Sequence, residues 1–111
     1  VKTLGLALLL LPLFAFWAIA AEIGFGIASE RIARKIPEVS FSDLGLEYRP
    51  SGRATKESAE AAFGRIKSLL DKDESWQNWF LLGVVYEANG DRRRARSSIR
   101  KAIELERAET A

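Results

Sequence analysis

The first apolar segment of the chain is long and nearly free of charge. Leu4–Ala21 contains 18 residues and no ionisable side chain, and the apolar character resumes directly after Glu22. A helix of that length spans about 27 Å, close to the thickness of the hydrocarbon core of a bilayer. Pro12 is compatible with this interpretation, because membrane helices tolerate proline. The pattern predicts a single N-terminal transmembrane helix, which we extend with its juxtamembrane residues over 1–36, up to Pro37.

Further along the chain, apolar residues return at helical spacing. Residues 54–72 have one apolar face, whereas Trp79–Tyr86 is apolar or glycine at every position. This second segment is too short to cross a membrane and is typical of a helix covered on all sides. Gly90 and Asp91 then end one helix and begin the next. The sequence therefore predicts an all-α fold, in which residues 54–111 form a small domain of about three helices behind the membrane helix.

Residues 37–53 separate the anchor from this domain. The turn residues in DLG and RPSG interrupt any regular element, so we expect an irregular or extended connector. Five of its residues are nevertheless apolar, which is many for a free linker: Val39, Phe41, Leu44, Leu46 and Tyr48. We expect this connector to lie against its own domain or against a partner.

Two interpretations of the N-terminal segment are open. Lys2, the apolar stretch and the small residues Ala18–Ala20 resemble a secretory signal with its cleavage site. We expect a retained anchor instead, because this chain still carries the segment. Three basic residues closely follow it, so the positive-inside rule places the C-terminal part in the cytoplasm. The signal-like layout favours the opposite side, and we expect a single-pass protein of a bacterial inner membrane with a narrow preference for a periplasmic domain.

The membrane helix also carries a face for a possible neighbour. Ala20, Gly24 and Ala28 are spaced four apart, which puts three small residues on one side, where another transmembrane helix can approach closely. Small residues are also common in membrane helices generally, so the second interpretation is that this face has no special role. Glu22 is either an ordinary residue at headgroup level or the partner of a cation on a neighbouring subunit.

Composition removes most enzymatic chemistry. The chain contains no Cys and no His, which excludes thiol nucleophiles, an imidazole base and the usual zinc sites. Neither a glycine-rich phosphate loop nor a paired acid and base is visible in the sequence. We expect a non-catalytic chain without cofactor or metal. The net charge is +2, and the basic excess lies beside the apolar segment, which suits a lipid bilayer better than nucleic acid.

Seven residues of the C-terminal part resemble the tetratricopeptide repeat: Trp79, Leu82, Gly83, Tyr86, Ala95, Ile99 and Ala102. That family places Trp, Leu-Gly and Tyr on a first helix, then Ala, a large apolar residue and Pro on a second. Arg107 stands where the family has its closing proline. The helix of 54–72 resembles the second helix of a preceding repeat. The resemblance implies one and a half repeats, fewer than such folds usually need to bury a continuous core. We therefore expect the domain to rest on a larger assembly, on lipid or on a second copy.

The inner face of the first helix is where repeats of this family bind peptides. The matching residues here are Phe80, Val84 and Glu87, which favour an apolar contact over the capture of a peptide carboxylate. Interface energy usually concentrates in a few large anchors, so we select Tyr48, Phe80 and Val84 as candidate partner contacts.

The last predicted helix opens with a basic cluster that includes Arg92, Arg93 and Arg96. The helix dipole disfavours cations at this end. One interpretation is a solvated face, and the other is a contact with an anionic lipid or an acidic protein surface.

Two functions fit these features. The first is a non-catalytic accessory subunit of a larger membrane complex of respiratory, photosynthetic or transport type, whose partners are other membrane protein subunits. The second is a membrane-anchored assembly factor or adaptor that holds a client protein transiently, as repeat proteins of cytochrome maturation and secretion do. Stoichiometric co-purification through detergent favours the first function, and capture that is lost on washing favours the second.

Overall fold

The computed structural model describes the backbone of residues 2–111. Val1 and the side chains of residues 2–4 and of Leu6 lie outside the description, among them Lys2, on which the secretory-signal hypothesis draws. The described chain forms five helices: α1 Lys2–Ala33, α2 Glu38–Ser42, α3 Lys56–Lys72, α4 Trp76–Ala88 and α5 Arg92–Thr110. Within residues 2–111, the only pairing of extended backbone is an isolated antiparallel bridge between Tyr48 and Ala54. The predicted all-α fold with one long apolar N-terminal helix is confirmed.

α1 is one continuous helix that Pro12 does not interrupt. The stretch Ala7–Ala33 is apolar enough, at a mean hydropathy of 2.1, and long enough to cross a membrane. Large apolar side chains point outward around it and are more than half exposed: Leu8, Leu9, Leu10, Leu11, Leu13, Phe14, Phe16, Trp17, Ile19, Ile23 and Ile27. Such a surface matches the hydrocarbon core of a bilayer.

The connector differs from the prediction, because part of it is helical. Pro37, with a φ of −60°, occupies the N-cap of α2, and its carbonyl oxygen accepts from the N–H of Ser40 at 3.0 Å. Proline suits the start of a helix because its fixed φ is already helical and it has no N–H to satisfy. α2 ends after five residues, and Gly45, with a φ of 69°, redirects the chain. α2 therefore lies within residues 37–53, where no regular element was expected, and α3, α4 and α5 follow it.

Side-chain caps begin the three longer helices of the C-terminal part. The hydroxyl oxygens of Thr55 and Ser75 and the carboxylate of Asp91 each accept from the backbone N–H three residues later. Each cap satisfies an amide that has no partner inside its helix. Gly90, with a φ of 82°, makes the left-handed turn that lets α5 fold back along α4.

α4 is buried on both of its broad sides. Towards α3, Leu82 and Val85 pack with Ile66. Towards α5, Gly83 allows a close approach, because a Cβ at this position would lie 2.5 Å from Cγ1 of Ile99. Coverage from two sides explains why the sequence of α4 has no polar face.

One face of the last turns of α1, from Phe25 onward, belongs to the core. One cluster of buried residues joins this helix and the turn after it to α4 and α5: Ala28, Ile32, Ile36, Trp76, Phe80, Ala102 and Ile103. Ile32 is completely buried. From the sequence we predicted an anchor over 1–36, a connector over 37–53 and a domain over 54–111. In the structure the end of α1 packs against this domain, because the helix continues beyond its apolar segment and supplies an apolar face to α4 and α5.

Candidate functional site

The junction of α1 and α5 determines how the helical domain is oriented relative to the membrane helix. Two ion pairs mark it, Glu22 with Arg96 and Arg31 with Glu106. The pairs lie nine residues apart on α1 and ten apart on α5. These separations correspond to about 13.5 Å and about 15 Å of helix. Since both helices advance together by nearly the same length, α5 runs beside α1 in the same direction.

Glu106 is the centre of the part of this junction that lies near the C-terminal end of α1. Its side chain is only 1 % exposed, and its carboxylate accepts from both terminal nitrogens of Arg31, at 2.9 and 2.8 Å, and from Nζ of Lys35 at 2.7 Å. Hydrogen bonds from Arg31 and Lys35 lower the pKa of Glu106 from its ordinary value of 4.5 to about 2. A buried carboxylate with three charge-assisted bonds is fully satisfied, so the group stays ionised inside the junction.

The part of the junction nearer to the apolar segment of α1 is built around Phe25. The guanidinium carbons of Arg96 and Arg100 lie 5.4 and 5.6 Å from the centre of its ring, within the range of cation–π attraction. Arg96 also donates to Glu22 through both terminal nitrogens. Glu22 therefore has its cation partner within the same chain, whereas one of our two hypotheses placed that partner on a neighbouring subunit.

The three small residues predicted to pack against another membrane helix do not share one environment. Ala28 is buried at 8 % exposure, in the cluster shared with α5, so the chain itself uses this position. Ala20 and Gly24 are exposed, and a Cβ at Gly24 would meet nothing within 4 Å. Only the membrane-facing part of the stripe is open to a second helix.

Phe80 is buried, so the prediction that it contacts a partner is wrong. Its side chain is 5 % exposed and packs in the cluster with Ile32 and Ile36, and the ring of Phe41 meets it edge-on at 6.2 Å. The physical reason is that α1 and α2 fold over the inner face of α4. The chain thus covers with its own residues the surface where we expected a partner at Phe80.

Val84 and Tyr48 keep access to the surface. Together with other residues of the connector they line an open groove of about 330 Å³: Phe41, Ser42, Leu44 and Leu46. Tyr48 is 59 % exposed and Val39, on α2, is 61 % exposed. The apolar residues of the connector therefore divide into a buried set that seals the core and an exposed set that does not.

The residues that carry the repeat resemblance all lie in or beside the core. Leu82, Gly83, Ala95 and Ala102 are buried, and Trp79, Tyr86 and Ile99 are half-buried. The ring of Tyr86 packs on Phe63 of α3 at 5.8 Å between centres. These positions build the contacts of α4 with α3 and α5.

The arginines that open α5 are placed in different settings. Arg96 belongs to the junction with α1, whereas Arg92 and Arg94 lie 3.9 and 3.6 Å from carboxylate oxygens of Glu87 and Asp91. Arg93 is exposed and makes no ion pair within the part of the chain that the structure describes. The cluster is thus only loosely neutralised by its own chain.

Arg31, Lys35 and Glu106 were not identified from the sequence as a functional group. The signal was present in the register of α5, where Glu106 follows Ala95, Ile99, Ala102 and Ile103 at intervals of three or four. A carboxylate on an apolar helix face requires a cation opposite it. The sequence does not show which cation this is, because Arg31 and Lys35 are 75 and 71 residues away from Glu106.

In the described residues 2–111, no group of three or more Asp, Glu, His or Cys side chains is arranged to hold a metal ion. A scan against protein-family models, a search of curated proteins and a search of solved structures each returned no match.

Proposed function

We propose that this chain is a non-catalytic accessory subunit of a larger membrane protein complex, of respiratory, photosynthetic or transport type. α1 anchors it in a bacterial inner membrane, and a domain of tetratricopeptide type mediates contacts with other subunits. The observation that carries the proposal is the apolar surface left uncovered outside the membrane segment, where Tyr48 and Val84 line the open groove and Val39 on α2 is also exposed. Exposed apolar patches next to a packed core are typical of protein–protein contact sites.

The rigid junction supports the same function. The bonds from Arg31 and Lys35 to Glu106 connect the membrane helix to the domain at a point where both are packed. A chain built in this way holds the exposed apolar surface of α1 and the groove at Val84 in a fixed position relative to each other. A subunit that contacts a partner at both levels needs such a relation, because the two contacts then reinforce each other.

The proposal is tested by co-purification of full-length variants through detergent. Tyr48→Ala removes an exposed ring that lines the groove, and Gly24→Leu adds a side chain to the exposed stripe of α1, at a position where an added Cβ would meet nothing within 4 Å. Both variants should reduce the amount of chain recovered with its partners, with expression and membrane insertion unchanged.

Two matched controls separate these effects from general damage. Gly5→Leu makes the same change elsewhere on α1, also at an open position, and Leu69→Ala trims another exposed apolar residue, on α3. Both should co-purify like the parent. Equal recovery of all variants, or a parent that purifies as a lone monomer, contradicts the proposal. Capture that is lost on washing favours the adaptor alternative instead.

A further inference from the structure

The parallel course of α5 beside α1 decides which end of the domain is nearest to the membrane. Arg96 lies beside Glu22, the first charged residue after the apolar segment. Arg92 precedes Arg96 by one turn of helix, about 6 Å further towards that segment. The first turn of α5 is therefore level with about Ala18 of α1, in the last turn of the apolar segment, where the hydrocarbon core meets the headgroup layer.

A second segment of the chain reaches the same end. The guanidinium group of Arg53 lies beside Gly90, close enough that a Cβ on this glycine would be 2.9 Å from its central carbon. The N–H of Ala54 donates to the carbonyl oxygen of Ala88 at 2.9 Å, which ties the 49–53 turn to the end of α4. Because α3 starts directly after this turn, its first turn belongs to this end of the domain too.

These segments form what we call the basic end of the domain. Its terminal turns carry six basic residues, Arg49, Arg53, Lys56, Arg92, Arg93 and Arg94, against four acidic ones, Glu47, Glu57, Glu87 and Asp91. The loop at the opposite end, between α3 and α4, has the reverse balance, with Asp71, Asp73 and Glu74 against Lys72. The charge of the domain thus changes sign along the axis of α1.

The arginines of α5 are unfavourable in the isolated chain. The dipole of a helix repels cations in its first turn, and the in-chain carboxylates at 3.9 and 3.6 Å are too distant for short hydrogen bonds. An external anion at this end would remove that repulsion. The guanidinium group is suited to this role, because its planar donors fit the oxygens of a phosphate in pairs.

We propose that the basic end of the domain rests on anionic phospholipid headgroups of the leaflet from which α1 emerges, with Arg92 and Arg93 as the main contacts. The proposal rests on the membrane anchor contained in the proposed function and not on any protein partner. The phosphates are those of the bilayer, because the junction at Glu22 and Arg96 holds this end against the membrane side of the molecule. Anionic lipid attracts basic segments that lie within a Debye length of its surface.

The absence of cysteine in the chain allows a site-specific measurement. Full-length Ser51→Cys, in the turn of the basic end, and Glu74→Cys, in the opposite loop, each receive one fluorophore. The proteins are reconstituted into vesicles of phosphatidylcholine, with or without phosphatidylglycerol, that contain lipids spin-labelled on the headgroup. The Ser51 label should be quenched severalfold more strongly than the Glu74 label, and phosphatidylglycerol should increase the difference while added salt reduces it.

A pair of double variants tests the arginines themselves. Arg92→Gln with Arg93→Gln should abolish the effect of phosphatidylglycerol on the Ser51 label. Lys72→Gln with Lys101→Gln removes the same charge from exposed positions away from this end and should leave the effect intact. Equal quenching of both labels, or quenching that does not depend on the presence of phosphatidylglycerol, overturns the proposal.

Two other outcomes also overturn it, with different meanings. Charge-dependent proximity that arises only after a co-purified protein is added assigns the arginines to an acidic protein surface. A chain that is extracted from the vesicles by alkaline carbonate has no membrane anchor, and in that case the proposed function fails as well. A parent chain that purifies as a lone monomer but keeps its response to lipid charge would contradict the proposed function alone.

Discussion

Arg31 and Glu106 are 75 residues apart in the chain and are joined by two hydrogen bonds of 2.9 and 2.8 Å. The arginine lies where the membrane helix enters the domain, and the carboxylate lies near the end of the last helix. Breaking a buried ion pair leaves one charge without compensation, which is more costly than never having made the pair. Glu106 is the buried partner and the side chain of Arg31 is 43 % exposed, so the link between anchor and domain is most sensitive to loss of the cations that compensate Glu106.

Acid should destabilise the folded chain through the protonation of Glu106. The pKa of Glu106 is held at about 2 in the folded chain and returns to its ordinary value of 4.5 on unfolding. A lowered folded pKa means that the carboxylate contributes its full stability above about pH 5 and loses it progressively as the pH falls towards about 2. The thermal midpoint of the full chain in detergent should fall through this window, as measured by circular dichroism.

Glu106→Gln tests whether this carboxylate is responsible. The variant should have a lower midpoint than the parent at neutral pH and a weaker dependence on pH below 5, because the amide cannot hold Arg31 and Lys35 as an anion does. Glu104→Gln, at an exposed position on the same helix, should resemble the parent. An unchanged acid limb in Glu106→Gln would show that the pH dependence comes from other groups.

Gly83→Ala should destabilise the domain by about 1–3 kcal/mol, the usual cost of overpacking. The added methyl group would lie 2.5 Å from Cγ1 of Ile99 and 3.1 Å from the backbone oxygen of Ala95, so α4 and α5 must separate. Gly64→Ala is the control, because a Cβ there meets nothing within 4 Å and alanine is the better helix former by roughly 1 kcal/mol. Chemical denaturation should show opposite signs for the two changes, and equal signs would refute the close contact of α4 with α5.

Ile66→Ala should cost about 2–5 kcal/mol, the range for deleting a large aliphatic side chain from a core. Ile66 is completely buried between α3 and α4. Leu69→Ala, one turn later on the same helix, removes a side chain that is 47 % exposed and should cost much less. Equilibrium unfolding in urea provides the comparison, and a similar loss in both variants would place Ile66 outside the core.

The side of the membrane is predicted from the layout of the N-terminal segment. We expect an exported domain, so protease added to intact spheroplasts should digest residues 37–111. Digestion only after lysis would place the domain in the cytoplasm, in agreement with the basic residues Arg31, Arg34 and Lys35 that follow the segment.

Local signals predicted much of the fold. Gly90 and Asp91 mark the turn between α4 and α5 because a left-handed residue and a cap are needed there, and the structure has both. The apolar character of α4 predicted a helix covered on all sides, and the structure buries most of it while leaving Val84 partly exposed and Glu87 exposed. Such signals are readable because they depend on residues a few positions apart.

The remaining features depend on contacts between distant segments. Phe80 looked available because its covering residues, Ile32 and Phe41, come from segments we treated as an anchor and a linker. The helical turn at α2 was missed because Val39 and Phe41 also fit a short strand, and only packing on α4 decides between the two. Glu106 was missed because its partners are far away in the sequence, with Arg31 on α1 and Lys35 in the turn after it.

The pairing of α1 with α5 also has a consequence for biogenesis. Arg31 is synthesised 75 residues before Glu106, which at ordinary elongation rates is a delay of about 4 to 15 s. During that interval α1 enters the bilayer while the face around Ile32 has no α5 to cover it. The nascent chain therefore passes through a stage in which an apolar surface stands exposed just outside the membrane, until α5 is made and covers it.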